Sequence, residues 1–193
     1  GTEAAGADSA ESGDGDGDGD GDATDAGDGD GDGDGSPTYQ PGEDTVVSAF
    51  VGTHVYFLGD DNQRSVDVEV EFPESGEYEE IIFDLELSCP DGGGCDWWDR
   101  KGWVGIVENA GTEDEKILEL TRFMTPYRLG WQEDIGVTRL RPLLRGKKTL
   151  RVFIDTWVGP PTGWAVSTTF VFYPGAPSDD FAAEVIPLWN NNA

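Results

Sequence analysis

Nine aspartates recur at every second position near the N-terminus: Asp14, Asp16, Asp18, Asp20 and Asp22, then Asp28, Asp30, Asp32 and Asp34. Glycine fills the positions between them, and Ala23-Thr24-Asp25-Ala26 separates the two runs. In an extended chain, period two puts the carboxylates of a run on one face, about 6.8 Å apart, and bare glycine backbone on the other. Such a row repels itself unless cations lie between the charges. Ca²⁺ suits it, taking roughly six to eight oxygens in flexible geometry, whereas Mg²⁺ demands a strict octahedral shell and should substitute poorly. One Asp per two residues cannot complete a Ca²⁺ shell, so a second run or another chain must supply oxygens. The repeat therefore predicts calcium binding coupled to self-association, as an oligomer or a fibre. The competing reading is a disordered, self-repelling linker, since no apolar side chain larger than alanine precedes Pro37 to offset ordering entropy. The runs lack the spacing of an EF-hand loop and the nonapeptide of secreted β-rolls.

A second chemical grouping follows at Cys89, Pro90 to Gly94, Cys95, Asp96, Trp97, Trp98, Asp99 and Arg100. The glycine-rich turn lets Cys89 and Cys95 approach within bridging distance, which predicts a disulfide and an oxidising compartment. The alternative is two free thiols in a cytosolic turn. A zinc site fits less well, because Zn²⁺ normally takes four ligands and the one histidine, His54, is remote in sequence. Trp97, Trp98, Trp157 and Trp164 offer a candidate sugar-stacking surface, since aromatic faces stack on apolar sugar faces and carboxylates accept sugar hydroxyls. The bland alternatives are that Trp97, Trp98, Trp157 and Trp164 pack in the core or its turns, that Asp99 pairs with Arg100 across the turn, and that His54 is a strand residue.

The elements that must position these groups are strands. Val66, Val68, Val70 and Phe72 alternate with Asp67, Glu69 and Glu71; Ile81, Phe83, Leu85 and Leu87 repeat the pattern. Further strands are predicted over 103–108, 117–123, 150–157 and 165–173, with turns at Glu74-Ser75-Gly76, Asn109-Ala110-Gly111 and Gly159-Pro160-Pro161. Residues 139–144 could hold one helical turn. Many short strands at regular spacing imply an antiparallel sandwich or jelly roll. The domain organisation is thus an acidic repeat segment over 1–44, a β-sandwich over 45–177 and a C-terminal segment over 178–193. In that last segment, Val185, Ile186, Leu188 and Trp189 should pack on their own sandwich or add to a neighbour's sheet edge.

The charge of −28 divides sharply. Residues 1–44 carry 15 of the 40 acidic residues and no Lys or Arg, so the remainder sets 25 acids against 12 bases. Both parts repel phosphate backbones and anionic lipid, which disfavours nucleic acid and membrane surfaces as partners. No apolar run is long enough to span a bilayer. The small, polar start at Gly1 reads as a processed N-terminus, and with the disulfide it implies an extracellular or cell-surface location.

Several motifs, taken in order, carry a resemblance. Cys89-Pro90 through Cys95-Asp96-Trp97-Trp98-Asp99-Arg100 resembles a turn of the peptide-N-glycosidase F family. So do Arg122-Phe123-Met124-Thr125-Pro126-Tyr127, Leu143-Leu144-Arg145-Gly146 and Phe153-Ile154-Asp155-Thr156-Trp157. The resemblance covers roughly 46–177. It implies an eight-stranded jelly roll, a Cys89–Cys95 bridge, Asp99 as the principal catalytic acid/base for cleaving the glycan–asparagine amide, and Arg100 as a binding residue; it thereby marks Trp98, Asp99, Arg100, Asp155 and Trp157 as a candidate glycan-binding set. Asp155 stands where the family has glutamate; a shortening of about an ångström can cost about 10²-fold in rate. The family's cleft lies between two jelly rolls, whereas this chain stops at Ala193. The expected function is therefore an extracellular assembly subunit, ordered or polymerised by Ca²⁺ on its repeats and carrying the jelly roll as a surface module. The alternatives are a glycoamidase-type enzyme and a glycan-binding module, with the balance leaning away from an enzyme.

Overall fold

The computed structural model describes residues 42–178 and 182–188, all within the unit Thr38–Ala193. The nine repeat aspartates, with the calcium and self-association readings built on them, lie outside the described residues, as does Trp189. Among the described residues ten strands follow one another: β1 Thr45–Ser48, β2 Thr53–Leu58, β3 Asp61–Gln63, β4 Ser65–Phe72, β5 Tyr78–Ser88, β6 Lys101–Glu108, β7 Lys116–Met124, β8 Trp131–Gly136, β9 Gly146–Ile154 and β10 Trp164–Pro174. Eight of them make the jelly roll, with β2-β10-β5-β8 in one sheet and β4-β9-β6-β7 in the other. The two short strands are accessories. β1 pairs with the C-terminal half of β10 beyond the part that β2 occupies, and β3 closes a hairpin on β2. Every pairing of named strands is antiparallel.

Alternation dictates the layering. Along β4, Val70 and Phe72 are buried while Asp67, Glu69 and Glu71 face solvent, and along β5 the buried set is Ile81, Phe83, Leu85 and Leu87. β10 inserts Trp164, Val166, Phe170 and Phe172 between the sheets. Phe170 stacks on Phe83 at 4.6 Å between centroids and meets Phe72 edge-on at 4.9 Å, so the two sheets are joined by aromatic contacts at mid-core.

Three expectations change. The strand expected over 150–157 ends at Ile154, because Thr156 N–H turns back to Ile154 O at 2.8 Å, and Asp155–Trp157 leave the ladder. The helical turn is a 3₁₀ segment, Thr138–Leu140, continued by turn hydrogen bonds to Leu144. Trp164 is core, but Trp97, Trp98 and Trp157 are each more than half exposed, which rules out core packing for those three. Of the C-terminal segment, the described Val185 to Leu188 border Ile117, Leu118, Leu140 and Leu143 of their own sandwich, with Ile186 and Leu188 left exposed.

Candidate functional site

One pole of the sandwich gathers the loops that carry the predicted residues. The start of β4 lies beside the end of β9 (Ser65 opposite Phe153), the start of β6 beside that same end (Gly102 opposite Ile154), and the end of β7 beside β6 (Met124 opposite Lys101). The connections over 89–100, 125–130 and 155–163 therefore meet there. Cys89 and Cys95 are disulfide-bonded, with Cα atoms 4.3 Å apart, as expected. The loop they close is sewn to the 160–163 turn. Gly163 N–H donates to Gly94 O, Asp96 N–H donates to Gly163 O, both at 3.2 Å, and a Cβ on Gly93 would lie 1.8 Å from Pro161 O. Glycine at 93 is a steric requirement of that contact.

Immediately after the disulfide, Asp96 is fully buried and acts as the hub. Its carboxylate accepts hydrogen bonds from Trp98 N–H (3.1 Å), Arg100 Nε (2.8 Å) and Thr156 Oγ1 (2.7 Å). Burial pushes the Asp96 pKa up, but the bonds from Arg100, Thr156 and the Trp98 amide outweigh it, so the net shift is downward and the group is ionised. Buried Thr125 completes the scaffold. Its hydroxyl accepts from Arg100 N–H and its own N–H donates to Arg100 O, both at 2.8 Å. Arg128 N–H, at a φ of 64°, donates to Asp96 O at 3.3 Å and so ties the 125–130 loop to the same centre. The Asp96–Trp98 bond is an Asx turn, which throws the following side chains outward.

What this scaffold displays is an aromatic and acidic surface. Trp97 and Trp98 are exposed, Tyr127 meets the Trp98 ring edge-on at 6.0 Å, and Trp157 is 56% exposed. Asp99 projects from the turn, and its carboxylate has no hydrogen bond or ion pair to any described residue. Asp155 N–H donates to Lys101 O at 3.0 Å, so Asp155–Trp157 run alongside Asp99–Lys101. The Asp155 carboxylate takes Arg64 Nη1 at 3.4 Å. The five predicted residues Trp98, Asp99, Arg100, Asp155 and Trp157 thus share one pole.

The expected Asp99–Arg100 pair is absent: Arg100 turns back to Asp96, which leaves Asp99 outward. Sequence reasoning missed Asp96, Thr125, Thr156, Arg64 and Tyr127. Asp96 carried one readable signal, an Asp two residues ahead of an amide it can bond, but the second Asp of the same string competed for the assignment. His54 is a strand residue of β2, as read, with Nε2 donating to Thr162 O at 2.9 Å. Among the described residues no group of three or more His, Cys, Asp or Glu is placed to hold a metal ion, and no helix is long and apolar enough to cross a membrane.

No protein-family model matches the chain. It is 31% identical over 113 residues to peptide-N(4)-(N-acetyl-β-D-glucosaminyl)asparagine amidase F of Elizabethkingia miricola, a match covering 56% of this chain and 30% of that protein. Among solved structures, N-glycanase F superposes with a TM-score of 0.58 at 28% identity, covering 70% of this chain and 43% of the other. The glycosylasparaginase PNGase F from Flavobacterium meningosepticum gives a TM-score of 0.57 at 27% identity, covering 71% and 44%. The chain spans less than half the length of these relatives. The described sandwich resembles a jelly-roll domain of peptide-N-glycosidase F.

Proposed function

We propose that this pole binds the N-acetylglucosaminyl-asparagine end of an N-linked glycan, with Asp99 as the group aimed at the amide. The observation that carries the reading is the division of labour between two aspartates. Asp96 neutralises Arg100 inside the loop, while Asp99, beside exposed Trp98, has no partner among the described residues, with Trp157 on the adjoining segment. Exposed rings offer stacking faces to the pyranose, and an unengaged carboxylate can accept a hydroxyl or activate a water. Further support is the likeness to an amidase of N-acetylglucosaminyl-asparagine, and the fact that all five predicted residues lie at one pole. The chemistry of glycan release belongs to this same proposal, since the chain spans less than half of each relative.

The test is a titration of N,N′-diacetylchitobiosyl-asparagine into the intact chain, followed by tryptophan fluorescence, beside an assay of glycan release from a denatured glycopeptide. Saturable binding that Trp157→Ala weakens at least about tenfold supports the reading, in line with the loss of a buried stacking contact. Release that vanishes in Asp99→Asn extends it to an amidase. No binding by the wild-type chain overturns it.

A further inference from the structure

We infer that Arg64 is a positioning residue that locks the Trp157 ring and the Asp155 carboxylate into one rigid wall of the glycan face; this rests on the binding reading above. Arg64 is the first Lys or Arg in the chain. Asp60, Asp61 and Asp67 stand within four residues in sequence, yet it pairs with none of them, and Asp67 is taken by Arg151. Asp61 is occupied by the Tyr56 hydroxyl at 2.7 Å and by Gln63 Nε2 at 3.2 Å. The guanidinium instead crosses to the end of β9. There its Cζ lies 4.4 Å from the Trp157 ring centroid and 4.6 Å from that of Phe57, and Nη1 reaches Asp155 Oδ1. Asn62 Oδ1 fixes the other edge, accepting from Nε at 3.0 Å and from Arg64 N–H at 3.3 Å.

The contact serves an exposed ring. Trp157 is more than half open to solvent, lies beyond the last ladder residue of β9, and meets protein through Phe57 (edge-on, 5.0 Å) and Arg64. A planar cation against the ring limits its rotation without covering it, which suits a surface that a sugar must later stack upon. The β2–β3 hairpin is what delivers Phe57, Asn62 and Arg64. Its hydrogen bond from Phe57 N–H to Val158 O at 2.9 Å joins it to the segment it braces. Lysine would keep the charge beside Asp155 and lose the planar face and the Nε donor.

The experiment labels the intact chain with 5-fluorotryptophan, assigns the Trp157 resonance through Trp157→Phe, and compares wild type with Arg64→Lys and Arg64→Gln. The expected result is a Trp157 resonance displaced toward that of solvent-exposed indole in both variants, with thermal midpoints within the wild-type range. Affinity for N,N′-diacetylchitobiose should fall about tenfold, the scale of losing one cation–π contact and freeing the ring. An unmoved resonance in both variants overturns the clamp. A moved resonance with wild-type affinity also overturns it, by showing that Arg64 is structural only. A wild-type chain that binds no chitobiose overturns the glycan reading instead, a result separable because the resonance needs no ligand.

Discussion

Asp96 and Asp99 lie three residues apart and do opposite work, and substitution should separate them. Asp96→Asn leaves Arg100 and Thr156 facing a neutral amide in a buried setting. It should lower stability by about 3 kcal/mol, the scale for breaking a buried pair, measured by urea unfolding. The folded pKa of Asp96 is depressed, so its contribution is complete above the unfolded carboxylate value of about 3.9 and is lost as pH falls through the lower folded value. The gap between wild type and Asp96→Asn should accordingly close in strong acid. Asp99→Asn should leave the unfolding free energy within about 0.5 kcal/mol of wild type, as for exposed positions generally, while reducing affinity for the glycosyl-asparagine. At Gly93, alanine forces a Cβ against Pro161 O. The change should destabilise the domain and shift the Trp98 fluorescence, since the displaced loop carries that ring. Equal midpoints for Gly93→Ala and wild type would contradict the close approach.

At the level of elements, the edge strand β8 carries a pH dependence. Its Asp134 lies directly opposite Asp84 of β5, and Gln132 Nε2 donates to Asp84 Oδ2 at 2.6 Å. The hydrogen bond to Asp84 holds the Asp134 pKa above its ordinary value, with desolvation and the Asp84 charge acting the same way. A raised folded pKa stabilises at pH below the unfolded value, and that stabilisation disappears as pH climbs through the folded value. Asp134→Asn should therefore raise the thermal midpoint at neutral pH and flatten its decline above about pH 4; a wild-type slope in the variant would refute the pairing. The same strand shows why alternation failed as a signal. Only Trp131 and Ile135 of β8 turn toward the core, so its sequence reads as polar. The disulfide belongs to this scale too. Replacing both Cys89 and Cys95 by serine should cost about 2 kcal/mol, modest because the loop is short, as read by chemical denaturation.

Across the whole molecule, the acid excess on the repeat segment sets a separate expectation. We propose that the nine repeat aspartates bind Ca²⁺, balancing roughly four or five ions if each takes two carboxylates. Calorimetric titration of Ca²⁺ into the intact chain, with light scattering, should show binding and association. A variant with the nine aspartates changed to asparagine should lack both, and Mg²⁺ should be a poor substitute. Equal heats for the two chains would leave the repeat a solvated tether. The jelly-roll pole should bind its sugar equally in both chains, so the calcium and glycan readings stand or fall apart.

The amino-acid sequence determined the layers of this protein, because period-two alternation along β4, β5 and β10 assigns each side chain to core or solvent whatever the partner strand. It also determined the Cys89–Cys95 staple, a local event within one glycine-rich turn. Shared motifs marked the loops that carry Trp98, Asp99, Asp155 and Trp157. Tertiary structure alone decided which carboxylate is buried and which is free. Asp96 and Asp99 are equivalent as residue types, and the choice depends on Thr156, 60 residues away, and on Thr125, which meet Asp96 and Arg100 only once β6, β7 and β9 are paired. Arg64 was invisible for the same reason. Its nearest charged neighbours in sequence are aspartates with which it makes no ion pair, and its working contacts, Asp155 and Trp157, lie some ninety residues away, brought within reach by the pairing of β4 with β9.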